Sequence, residues 1–117
     1  MSETIDVAQL FSAYPSGRVP DDGKFNGETF RLKLLAPALR RVIDSGSGKL
    51  IVDIDGVRSF GSSFLEEAFA GLIRTGSFTR EEVINRIEIR CTKEHLLFFK
   101  KTINTYINGA KSHVMSN

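Results

Sequence analysis

Leu50-Ile51-Val52-Asp53-Ile54-Asp55 limits the possible folds more than any other segment. It is apolar and rich in β-branched residues, and Gly48 and Gly56 bound it, so it reads as a buried strand. After a short loop, Phe64, Leu65, Ala68, Phe69, Leu72 and Ile73 recur at i, i+1, i+4, i+5, i+8 and i+9. That spacing predicts an amphipathic helix with a wide apolar face, and Gly76 is placed to stop it. A strand feeding directly into a helix is the unit from which parallel α/β sheets are built.

The flanking segments extend the same alternation. Ile5 to Phe11 is a first short strand, and Arg18-Val19 a second between the turns at Pro15-Ser16-Gly17 and Pro20-Asp21-Asp22-Gly23. Glu28 to Val42 carries two patterns. Phe30, Leu32 and Leu34 alternate as in a strand, whereas Phe30, Leu34, Ala38 and Val42 fall at steps of four. Asn26 is a good N-cap and the apolar pattern runs on to Ile43, so helix is the reading we adopt. Pro37 then predicts a kink or a restart. Thr79-Arg80-Glu81-Glu82 is a capping-box pattern for a short helix, and Arg86-Ile87-Glu88-Ile89-Arg90 alternates as a strand. Leu96, Phe99, Ile103, Tyr106 and Ile107 mark a last helix ending near Gly109. The expectation is one α/β domain over residues 1–117, with a mostly parallel or mixed sheet of about four strands and helices packed on it. The core spans about residues 5–110, and 111–117 is a flexible tail.

Composition narrows the function. At 117 residues with 41% hydrophobic and 26% charged residues, the chain can close one core without disulfides or metals. Sixteen Lys and Arg against 14 Asp and Glu leave +2, too near balance to advertise a nucleic-acid or anionic-membrane partner. No apolar run approaches the roughly 20 residues of a membrane span. Met1 to Asp6 lacks the basic and apolar regions of a secretory signal, and a single Cys91 fits a reducing cytoplasm.

Several motifs invite chemistry. Asp53-Ile54-Asp55-Gly56 after a strand resembles the first motif of haloacid-dehalogenase phosphohydrolases, which implies an Asp53 nucleophile, an Asp55 acid/base and Mg²⁺. The adjacent acid pairs downstream, Glu66-Glu67 and Glu81-Glu82, fall on helices, and only 62 residues follow Asp55, too few for that fold. Asp55-Gly56 as the turn leaving the strand is the simpler reading. Gly46-Ser47-Gly48-Lys49 lacks the helix that a phosphate-binding P-loop requires. Cys91, His95 and His113 have no zinc spacing, so neither a metal nor a cofactor is expected. Residues 86–117 hold Arg86, Arg90, Lys93, Lys100, Lys101 and Lys111 against Glu88 and Glu94, a net of +4 before histidines. A solvated helix face explains that excess as well as nucleic acid does.

Gly61-Ser62-Ser63-Phe64-Leu65-Glu66 is the most informative stretch. Ser63-x-x-Glu66 reads as a capping box, with Ser63 as N-cap. Ser62 would lie one position outside the helix, where backbone amides and the helix dipole favour an added phosphate. Glu66 and Glu67, one turn away, would oppose the −1.5 to −2 charges that phosphorylation adds (approximate values).

With these residues in place, the chain resembles the STAS superfamily of bacterial anti-sigma-factor antagonists, in its STAS-like branch without assigned activity. Residues 50–65 read like the STAS strand, loop and Asp-Ser-Ser/Thr-Gly-Leu motif, and Gly23-Lys24-Phe25-Asn26 looks like the Gly-x-apolar-Asp before the first STAS helix. Gly61 stands where the motif has Asp, and Phe64 where it has Gly. Phe64 is expected to crowd the docking surface. The resemblance implies a non-enzymatic, cytoplasmic protein-interaction module whose partner is a GHKL-type ATPase or kinase. It makes Ser62 the candidate phosphoacceptor, with Ser63 second. The partner surface would centre on Arg58, Ser59, Phe60, Gly61, Ser62, Glu66 and Glu67.

Overall fold

The fold follows in a computed structural model that describes residues 2–113. Three strands form one sheet: β1 (Glu3–Asp6), β2 (Leu50–Asp53) and β3 (Ile87–Arg90). Their order is β1-β2-β3 and both pairings are parallel. The register aligns Ile5, Val52 and Ile89 across the sheet, and Leu50 with Ile87; all five are buried. Thr4, Ile51 and Glu88 fill the alternate row, with Thr4 and Glu88 exposed. Successive right-handed crossovers in one direction put the connecting helices on one face. The chain is therefore a two-layer α/β sandwich.

Among the described residues five α-helical elements complete it: α1 (Val7–Leu10), α2 (residues 27–44), α3 (residues 62–74), α4 (Arg80–Arg86) and α5 (Leu97–Gly109). None is long and apolar enough to cross a membrane. Asn26 caps α2 as its sequence position predicts, accepting from the Thr29 amide at 2.8 Å. The helix reading of 28–42 holds. Just before Pro37 the helix runs through a wide π-helical turn, Arg31–Leu35, and α geometry resumes at Ala36. Thr79 and Glu82 form their reciprocal capping box, at 3.1 and 2.9 Å.

Three expected boundaries move, each because a carboxylate recruits a backbone amide. The first strand ends at Asp6, whose Oδ1 accepts from Gln9 N and starts α1. Arg18-Val19 forms no strand, since both amides donate to Asp22 Oδ2 at 2.9 and 3.1 Å. The sheet accordingly has three strands among the described residues, not four. The strand at Leu50 stops at Asp53, whose Oδ1 accepts from Asp55 N at 3.0 Å. Of the expected tail, residues 114–117 lie outside the described residues, while His113 N donates to the Arg74 carbonyl at 2.9 Å.

α2 and α3 approach unusually closely. A Cβ on Gly27 would lie 2.7 Å from the Phe64 carbonyl oxygen and 2.9 Å from Glu67 Cβ. Only glycine permits that approach. Between the helices, Phe30 meets Phe64 and Phe69 at ring distances of 5.5 and 6.5 Å, and Phe11 joins at 5.2 Å from Phe30.

Candidate functional site

The loop from β2 to α3 is held by the segment that follows α1. Arg58 N donates to Ala13 O at 2.8 Å and Gly61 N to Pro15 O at 3.0 Å. A Cβ on Gly61 would sit 3.0 Å from Ser16 Oγ and 3.3 Å from Ser16 Cα. A side chain at position 61 would thus require Ser16 to give by a few tenths of an ångström.

Gly61, not Ser63, is the N-cap of α3, and Ser62 is its first residue instead of lying outside it. The Ser63–Glu66 capping box does not form, because Glu66 is taken by two guanidinium groups. Arg18 Nη1 donates to its Oε1, and Arg74 Nη1 to its Oε2 at 2.5 Å. An ionised pair outweighs a single amide bond. Ser62 is exposed, and its hydroxyl makes no hydrogen bond among the described residues.

Glu67 joins the same network, so the expected partner surface loses both glutamates. Its Oε2 accepts from Arg31 Nη1 at 2.6 Å, and its Oε1 from Arg18 and Arg74 at 3.1 and 3.2 Å. Arg31 is buried and donates also to the Glu67 carbonyl, at 2.6 Å. A second π-helical turn, Glu66–Ala70, presents these carboxylates to the one on α2 that carries Arg31. Burial works to raise both carboxyls, but hydrogen bonds from Arg18 and Arg74 to Glu66, and from Arg31 and Arg18 to Glu67, hold them below the ordinary glutamate range. Since the folded-state values are lowered, the stabilisation is full above the unfolded value of about 4.3. It is lost as pH falls through that value toward the folded ones. Urea denaturation from pH 7 to 3 is therefore expected to show the native chain losing its advantage over a Glu66→Gln/Glu67→Gln variant. A gap that stays constant would remove the network from the acid response.

Phe60 of the expected surface is 8% exposed and forms part of a groove wall. Phe64 is fully buried and does not crowd that surface, with Phe60 stacked on it at 5.8 Å and Phe99 edge-on to Phe60 at 5.4 Å. Arg58, Ser59 and Ser62 remain exposed. Beside Ser62 opens a groove of about 720 Å³ between the start of α3 and one side of α5, walled by Phe60, Leu65, Phe98, Phe99 and Tyr106, with Lys101 at its polar side. The residues of α5 were missed from the sequence. A signal was available: Leu97-Phe98-Phe99 puts three large apolar residues in a row, more than one helix face can bury. Leu97 and Phe98 are 41% and 66% exposed.

The remaining candidates are dispersed or occupied. Asp55 accepts from Thr92 N and Thr92 Oγ1, both at 2.7 Å, and from Lys93 N at 3.2 Å. The Thr92 hydroxyl bond and these amides hold its carboxyl below the usual range, and the residue staples the loop after β2 to that after β3. Among the described residues no cluster of three His, Cys, Asp or Glu could hold a metal ion. Arg86 reaches the Gly48 and Gly46 carbonyls at 3.2 and 3.3 Å, and Arg90 lies 4.0 Å from Asp53. Two of the six C-terminal basic residues are thus engaged within the fold.

A family model described as a STAS-like domain of unknown function matches residues 26–95. No curated protein and no solved structure matches the chain.

Proposed function

The chain belongs to this STAS-like family, and from that premise we propose that it is a non-enzymatic regulatory module of the bacterial cytoplasm, which docks a protein partner on the face where Ser62 borders the α3–α5 groove. Phosphorylation of Ser62 by a GHKL-type ATPase or kinase switches the docking. The carrying observation is the pairing of an exposed, unbonded Ser62 hydroxyl with an apolar groove and a two-thirds exposed phenylalanine. Exposed apolar surface rimmed by polar residues is characteristic of interaction sites. A phosphate at Ser62 would add about two negative charges at the amino end of α3, a large local change. The glutamates one turn away are neutralised by Arg18, Arg31 and Arg74, so they would not expel it. The stapled Asp55 favours this reading over Mg²⁺-dependent phosphotransfer through Asp53 and Asp55.

Co-expression with ATPase-type kinases, followed by intact-mass measurement and phosphopeptide mapping, is expected to find one phosphate on Ser62. Partner binding is expected to change at least about tenfold on Ser62→Asp and little on Ser62→Ala. An unmodified Ser62 together with unchanged binding of Ser62→Asp would overturn the switch.

A further inference from the structure

We infer that the α3–α5 groove receives an amphipathic helix of the partner whose apolar stripe is flanked by acidic side chains. This rests on the docking reading above and adds the chemistry of what docks. Along α5 the groove is lined by Phe98, Phe99, Lys101, Thr102, Thr105 and Tyr106, of which all but Phe99 follow one another at i, i+3, i+4, i+7 and i+8. That is one face over two turns, about 12 Å, the length over which a partner helix presents anchors at i, i+3 or i+4, and i+7. The volume, about 720 Å³, holds several such side chains.

The walls set the occupant's charge. Thr102 and Thr105 hydroxyls donate to the Phe98 and Lys101 carbonyls of their own helix, at 2.9 and 3.0 Å, so both threonines add chiefly their methyls to the groove. Lys101 is exposed and has no ion-pair partner among the described residues, and no Asp or Glu lines the groove. At the other wall α3 starts without a side-chain cap, leaving the positive end of its dipole toward the same side. Both polar features are electropositive, and an acidic flank complements them while a basic one would leave Lys101 repelled.

A displayed library of helical peptides, with an apolar i, i+3, i+4, i+7 stripe and randomised polar positions, tests this on the full chain. Peptides retained by the native protein but not by Phe98→Asp are expected to be enriched in Asp and Glu beside the stripe. Their affinity should fall roughly tenfold on Lys101→Glu and return when the peptide's acidic residue is exchanged for Lys. Neutral or basic consensus sequences, indifference to Lys101→Glu, or no peptide that distinguishes Phe98→Asp would each overturn the inference. A partner that responds to Ser62→Asp but ignores Lys101→Glu would remove the acidic-helix inference and leave the docking reading standing. Peptides that obey the charge exchange while no partner responds to Ser62 would do the reverse.

Discussion

Arg31→Ala is expected to lower the free energy of unfolding by about 3 kcal/mol, the lower end of the range for breaking a buried ion pair. Arg31 is only 6% exposed, and its guanidinium bridges the π-helical turns of α2 and α3 through the carboxylate and carbonyl of Glu67. Removing it leaves the carbonyl without that donor, although Arg18 and Arg74 still face the carboxylate. That residual pairing is why the upper end of the range is not expected. Room for the guanidinium exists because residue 71 has no side chain: a Cβ there would lie 2.2 Å from Arg31 Nη1. Gly71→Ala should therefore reproduce part of the loss. Arg31→Met combined with Glu67→Leu should be more stable than Arg31→Ala, because neither variant side chain leaves a buried charge. Urea titrations of the four proteins check this. A double variant no better than the single would mean that the loss comes from the Arg31–Glu67 bonds themselves and not from an unpaired buried charge.

Phe64→Ala is the other large effect, about 3–5 kcal/mol, from lost burial and the cavity left behind. Phe64 is fully buried, with ring centroids of Phe11, Phe30 and Phe60 at 6.0, 5.5 and 5.8 Å. In a domain of this size that corresponds to a fall in Tm of roughly 10–20 °C, read by circular dichroism. The substitution also frees Phe60, the groove wall stacked on Phe64, so partner binding should weaken beyond the stability loss. A cost under about 1 kcal/mol would show that the surrounding rings close the gap.

Much of the architecture was legible because its causes are local. Asn26 caps α2 within three residues, Gly76 stops α3, and the alternation of Ile87 to Arg90 marks a strand with one buried face. The pattern at 28–42 was resolvable because a helix-length apolar face cannot serve a strand. The candidate site was legible only in part. Ser62, Arg58 and Ser59 are exposed, but Glu66 and Glu67 are half-buried in ion pairs and Phe60 is buried against Phe64 at the groove wall. The α5 wall of the groove was not anticipated at all. Its lining depends on how a helix more than 30 residues downstream packs against the motif, which no local spacing encodes.

Two copies of one pattern separate the contributions most clearly. Thr79-x-x-Glu82 and Ser63-x-x-Glu66 are both capping boxes by sequence, and only the first forms. Sequence alone determined the strand–helix alternation, the caps at Asn26 and Thr79, and the loop that leads into Ser62. Tertiary structure decided what Glu66 does, because Arg18 and Arg74 reach it from 48 and 8 residues away. A charged partner is worth more to a half-buried carboxylate than a backbone amide, so long-range ion pairing overrode the local motif, and α3 starts at Ser62, on the rim of the groove.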